Sequence, residues 1–382
     1  MIDTVVMILE MGKFTIKDPN RFSPPADLAK NAIRLGKPAR HKFIYNITKS
    51  EKENYYYPRL TLMQQCFGNG SHVTKLKIEF SAPKLVFKNN FSELSDDDFD
   101  LVVNTLFKKL DEMAIVTRKD FLINAYVQKI DYSKNIILDD YVTCSMVISE
   151  LAKVNLNKRL DLTKTDYRNE GMAIVYHSNS FELKIYDKIK DLEQSNKFGE
   201  KRSLEKENQH HPDLFNYTDY KAKNLEVLRL EGRFIRRKLK SLFSTLKIEN
   251  KITFKELFNK DISRAVLLHY FGQITRDLYI MHFDLKNIDN LIATIRGQIP
   301  RITPTKILQL IGFIQAVQSM GNRGARVELN LPNHQWYRIQ KELKKVESSQ
   351  GNYKFTAVCD LEKKIEAFEP LNMKNLGKFC YV

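Results

Sequence analysis

GMAIVYHSNSFELKIYDKIKDL at residues 171–192 and NLEVLRLEGRFIRRKL at residues 224–239 are the stretches whose reading decides the fold. Over residues 181–186, Phe181, Leu183 and Ile185 alternate with Glu182, Lys184 and Tyr186. That period of two marks a half-buried strand, so Tyr186 falls on its polar face at the strand end. The apolar run before it makes a hairpin, and the charged residues after it read as a helix. Over residues 225–234 the same count sets Arg229, Glu231 and Arg233 on one face and Leu228, Leu230 and Phe234 on the other. Two such neighbouring strands would present a phenol, a carboxylate and several cations on one surface, which suits a phosphodiester.

Working outward, residues 1–14 (MIDTVVMILEMGKF) read as a first strand, and residues 13–40 as a basic loop with a short helix at 26–35. Strands are expected at 41–49, 55–66 and 72–80, the last two joined by the turn Gly68-Asn69-Gly70. In the third, Lys75, Lys77 and Glu79 alternate with Leu76, Ile78 and Phe80, so Glu79 lies on a cation-bearing face. Residues 81–90 look irregular. Ser95 and three aspartates then open a helix at 97–113, with Leu101, Val102, Leu106 and Leu110 as its apolar stripe. A strand at 121–131 ends in KID, a helix spans 139–154, and residues 155–169 form a polar crossover. The sum is an α+β fold, an antiparallel sheet in the split β-α-β, ferredoxin-like pattern. From residue 234 the period turns helical (234–246, 254–279, 302–320), with a β-like piece at 325–329, a helix at 332–346 and a strand-like tail. The expected division is a domain of residues 1–248 and a mainly helical C-terminal domain of residues 249–382.

The chain has 382 residues, 43% hydrophobic and 28% charged, with a net charge of +16. It is globular, and that charge favours polyanions, nucleic acid before an anionic membrane. The first residues carry Asp3 and Glu10 and do not read as a signal peptide, and no apolar run approaches the roughly 20 residues of a membrane span. Cys66, Cys144, Cys359 and Cys380 are scattered without CxxC spacing, which fits a reducing cytoplasm and argues against a zinc site.

Tyr186 stands out among the tyrosines because Lys188 and Lys190 follow it. A phenol is mostly protonated at neutral pH, and nearby cations or a metal-bound phosphate favour attack by its phenolate. The blander reading is a packing tyrosine. Glu79, Asp131 and Glu231 each sit among basic neighbours on a strand, and Mg²⁺ or Mn²⁺ is commonly held by carboxylates plus substrate oxygens. The spacing between strands favours acids from different strands over Glu182; the blander reading is charge balance. Arg233, Arg236, Arg237, Lys238 and Lys240 form either a solvated helix face or a phosphate-positioning patch, and the net charge favours the patch. His210 and His211 read as loop residues, His177 lies in the hairpin turn near the tyrosine strand, and Trp336 reads as a core anchor. GxGxxG, Walker A, GxSxG and HExxH motifs are absent from the sequence.

MIDTVVMIL, LKIEFSAPKLVFK, KID, LKIYDKIKDLE, LRLEGRFIRRKLKS and IGFIQAVQSMG…VELNLPNHQWYRIQKEL, in that order from residue 1 to about 346, resemble the gene II type replication initiators of filamentous phages, the phage/plasmid II/X family. The resemblance implies an HUH-like endonuclease sheet and a rolling-circle initiator that nicks one strand of origin DNA. It also implies a 5′-phosphotyrosine link, a free 3′-OH and later strand rejoining. By motif, Tyr186 is the implied nucleophile and Lys188 its basic companion, with Glu79, Asp131 and Glu231 the metal acids for Mg²⁺ or Mn²⁺. Arg229, Arg233, Arg236, Arg237 and Lys190 are expected at DNA, and the C-terminal domain of residues 249–382 with the loop at 13–40 is expected to grip the duplex origin. Implied partners are double- and single-stranded origin DNA, the host helicase and the replication machinery in a bacterial cytoplasm, with no membrane. The His-hydrophobe-His metal motif of the wider superfamily is absent. A non-catalytic nucleic-acid-binding regulator is the competing reading.

Overall fold

The structure, a computed structural model, describes residues 1–23, 39–48, 56–67, 71–138, 142–152, 165–168, 173–194, 225–275, 285–347 and 356–371. The expected helix at 26–35, the turn at 68–70, His210 and His211 lie outside the described residues, as does most of the crossover at 155–169.

Alternating sequence builds twelve strands among the described residues: β1 (Ile2–Glu10), β2 (Phe14–Ile16), β3 (Phe22–Ser23), β4 (Ala39–Tyr45), β5 (Arg59–Cys66), β6 (His72–Ser81), β7 (Ile115–Thr117), β8 (Tyr126–Ile137), β9 (Thr165–Arg168), β10 (Ala173–His177), β11 (Phe181–Asp187) and β12 (Val227–Ile235). Ten of them form one sheet in the order β3-β4-β5-β6-β1-β8-β12-β11-β10-β9, and β2 pairs with β7 apart from it. Every neighbouring pair is antiparallel. Because β6 and β8 both flank β1, they run parallel with β1 inserted between them, and the helices Ala82–Phe87 and Phe99–Glu112 lie on that crossover. β8 and β11 flank β12 in the same way, with the helix Cys144–Ala152 on the connection. These are split β-α-β units, so the expected α+β architecture with an antiparallel sheet is what forms.

One apolar core joins Val5, Met7, Ile78, Phe80, Ile130, Leu230 and Phe234 of the sheet to Val102, Leu106, Val147, Val266 and Tyr270 of the helices. The helices Lys260–Thr275 and Thr356–Ala367 contribute to this same core through Leu267, Ile274, Leu361 and Ile365. A second core, of Leu291, Leu310, Ile314, Trp336 and Leu343, belongs to the helices Ile288–Gln298, Pro304–Glu328 and Asn333–Glu347. Trp336 is fully buried against Phe313, the core anchor its type suggested.

Several local readings are corrected. Residues 82–87 are helical rather than irregular, with Pro83 in the first turn, where the missing N–H costs nothing. Leu101 is half exposed and Val103 takes its place in the buried stripe. β8 begins at Tyr126, after a short helix Lys119–Ile123, and runs well past Asp131. Residues 325–328 continue a helix across a non-helical Gly321 instead of forming a β piece, and residues 356–367 of the tail are helical.

Candidate active site

In an antiparallel sheet directly paired residues share a face. The register across β8, β12 and β11 therefore stacks three polar rows on one face: Asp131–Arg233–Glu182, Ser133–Glu231–Lys184 and Asn135–Arg229–Tyr186.

In the third row the Tyr186 hydroxyl donates to Glu231 Oε2 at 3.0 Å. Burial, with the Glu231 charge beside it, holds the phenol well above its ordinary 10. Burial also pushes Glu231 upward, but Arg229, Lys184 and Lys188 outweigh it and keep the carboxyl below the usual range. Arg229 Nε lies 3.6 Å from Glu231, and Lys184 Nζ lies 3.6 Å from its other oxygen. Arg229 is 1% exposed and donates to Ser133 Oγ at 3.0 Å and to the Asn90 carbonyl at 2.6 Å, with Asp3 at 3.0 Å. Lys188 opens the helical residues 188–194, is buried, pairs with Asp191 at 2.9 Å and sits 5.6 Å from the Tyr186 ring centre. Burial and then Arg229 lower its pKa. The result is a hydroxyl held by a carboxylate that neighbouring cations keep ionised, an arrangement in which the carboxylate can accept the phenol proton.

In the first row Asp131 is wholly buried and receives the Arg233 guanidinium at 2.9–3.1 Å, while Arg233 also donates to Glu182 at 3.3 Å. Lys184 bridges the rows, 2.9 Å from Glu182. Glu182, set aside on spacing grounds, is thus part of the network; a cross-strand register, not local spacing, brings it there. Lys184, Asp3 and Ser133 were also missed, for the same reason.

Glu79 is elsewhere. It pairs through Val6 with the level of Lys129 and Ile235, six residues along β8 and β12 from the Tyr186 level. That is roughly 20 Å along the strands and roughly 19 Å across the four strand spacings from β6 to β11. There it binds Lys77 at 2.8 Å and faces Lys129 at 3.9 Å. By the same register Glu79 stands two residues along the strands and two strand spacings from Asp131, roughly 12 Å, with Asp131 tied to Arg233, so the three acids expected to share Mg²⁺ or Mn²⁺ do not gather around one ion among the described residues. His177 pairs with Glu182 across the hairpin, four residues from Tyr186.

Among the described residues a different set of ligating atoms, from Cys144, Asp187 and Glu226, lies within 4.8 Å of one another. Both carboxylates are already engaged at helix starts: Glu226 accepts from the Cys144 N–H at 2.8 Å, and Asp187 from the Lys190 N–H at 3.0 Å. A thiol also suits a soft metal rather than Mg²⁺. Of the expected DNA contacts, Arg229 is buried, Arg233 is committed to its acids, and Lys190 lies 3.7 Å from Asp187. Arg236 and Arg237 open onto a cleft lined also by Lys75, Lys77 and Lys129.

Fold and face together define an α+β protein whose antiparallel sheet carries a tyrosine–carboxylate pair among buried cations. The family described as the N-terminal part of a replication-associated protein, the gene II product, matches residues 1–256. The chain belongs to that family, with the gene II type replication initiators. No curated protein and no solved structure matches the chain. Among the described residues no helix is long and apolar enough to cross a membrane.

Proposed function

We propose that the protein initiates rolling-circle replication by nicking one strand of origin DNA, with Tyr186 as the nucleophile. The hydrogen bond of 3.0 Å from the Tyr186 hydroxyl to Glu231, in a replication-associated family, carries this reading. Tyr186 Oη attacks the scissile phosphorus in line while its proton passes to Glu231 Oε2, acting as general base. The P–O3′ bond breaks, the 3′ oxygen takes a proton from solvent, and the 5′ phosphate stays on the tyrosine. Arg229 and Lys188 lower the cost of the charge that builds there. Attack by a 3′-OH on the phosphotyrosine reverses the step and rejoins a strand. No step is routed through Mg²⁺ or Mn²⁺, because Glu79, Asp131 and Glu231 are not gathered.

The remaining expectations stand on the family. The protein works in the bacterial cytoplasm with the host helicase and replication machinery. Outside the residues the family matches, the proposal that the C-terminal helices hold duplex DNA stands on charge: His334, Arg338, Lys341 and Lys345 form an exposed stripe along Asn333–Glu347.

The test is covalent adduct formation on a labelled origin strand, resolved on a denaturing gel across a Mg²⁺ and Mn²⁺ series. Tyr186→Phe yields no adduct, and Glu231→Gln slows its appearance by about 10²–10⁴-fold, the usual worth of a general base. An adduct from Tyr186→Phe removes the assignment of the nucleophile. No adduct from the native protein leaves the DNA-binding regulator.

A further inference from the structure

On the same face as Tyr186, at the other end of the strands, lies an open cleft of about 490 Å³. Its walls bring Lys75 and Lys77 from β6, Lys129 from β8, and Arg236 and Arg237 from the start of the helix Arg236–Leu246. The carboxylates facing these cations are Glu10, 3.8 Å from Lys75, and Glu79, which meets Lys77 and Lys129. Five cations against two acids leave a positive excess. Tyr126 is 46% exposed on the cleft wall, and the Arg236 guanidinium lies 4.7 Å over its ring. Arg236 Nε is buried with no hydrogen-bond partner among the described residues.

From these observations we infer that this cleft seats single-stranded DNA, its cations taking backbone phosphates and the Tyr126–Arg236 stack taking a base. The volume suits a segment on the order of one or two nucleotides. A cationic groove with an aromatic platform is the physical basis of sequence-tolerant single-strand binding. The inference deepens the nicking reading and rests on it for the DNA. The cleft lies about 20 Å along the strands from the Tyr186 level, so it holds a strand away from the point of cleavage.

The experiment measures binding of the full chain to fluorescein-labelled oligothymidylate by anisotropy over a salt series, with an oligomer of matched length in a duplex as comparator. Lys75→Ala with Arg237→Ala is expected to reduce the slope of log affinity against log salt by about 1.4, at about 0.7 per lost phosphate contact. Tyr126→Ala weakens binding about 5- to 100-fold, and Tyr126→Phe, which keeps the ring, binds like the native chain. Unchanged slope and affinity in variants with native thermal midpoints overturn the inference, as does equal sensitivity of duplex binding to the same changes. Altered slopes with no covalent adduct sink the nickase reading alone. A normal adduct with unaltered slopes sinks the cleft alone.

Discussion

At Asp131 two physical effects oppose one another. Burial pushes its pKa up to about 6 against the pull of the Arg233 hydrogen bonds, and Glu231 adds to the rise. The folded value exceeds the unfolded one of 3.8, so between them the folded chain binds more protons than the unfolded chain. Stability from this group therefore falls as pH rises from 3.8 to about 6 and is level above, a change on the order of 2–3 kcal/mol. Asp131→Asn should remove that slope from urea midpoints measured across the window; identical profiles for variant and native would show that Asp131 does not titrate there. At this scale the candidate site was partly legible. Alternation alone put Tyr186 and Glu231 on polar faces. Nothing local shows that Arg229, three-fold committed to Asp3, Ser133 and Asn90, is buried, since its partners come from distant parts of the chain.

Among the elements, β12 carries the most constraint, contributing Arg229, Glu231 and Arg233 while packing Leu228, Leu230 and Phe234 beneath. Gly232 sits between these roles. A Cβ there would meet the Phe234 ring at 2.7 and 2.8 Å and Leu183 Cδ2 at 3.2 Å. Both neighbours are held in the core, so Gly232→Ala should destabilise by about 1–3 kcal/mol. It should also disturb Glu231, its neighbour in the strand; a urea midpoint equal to native would show that the ring moves freely. Strands with strict alternation were read well, β11 above all. Helix positions were read worse: residues 82–87 looked irregular but form a helix with Pro83 in its first turn, and the residues at 325–328 and the tail at 356–367, read as β-like, pack as helices.

In the whole molecule, residues on both sides of position 248 share one apolar core. The proposed boundary at residue 248 would separate Phe254, Leu257, Val266, Leu267 and Ile274, all fully buried, from the sheet core they share. A chain ended after residue 248 should therefore lose cooperative thermal unfolding and near-ultraviolet circular dichroism. A sharp transition in that fragment would show that the sheet closes without these helices and would uphold the boundary. The second core, built from residues 291–346, is made entirely within the C-terminal helices.

What the sequence alone determined is the set of faces: which side chains of each strand meet water, which meet the core, and that a basic surface would carry a tyrosine and acids. Alternation encodes this locally, because successive side chains of a strand point to opposite sides. Only the tertiary structure decided which of those residues are neighbours. Register and strand order are set by contacts between distant segments, and they joined Tyr186 to Glu231, tied Asp131 to Arg233, and left Glu79 with the basic cleft instead.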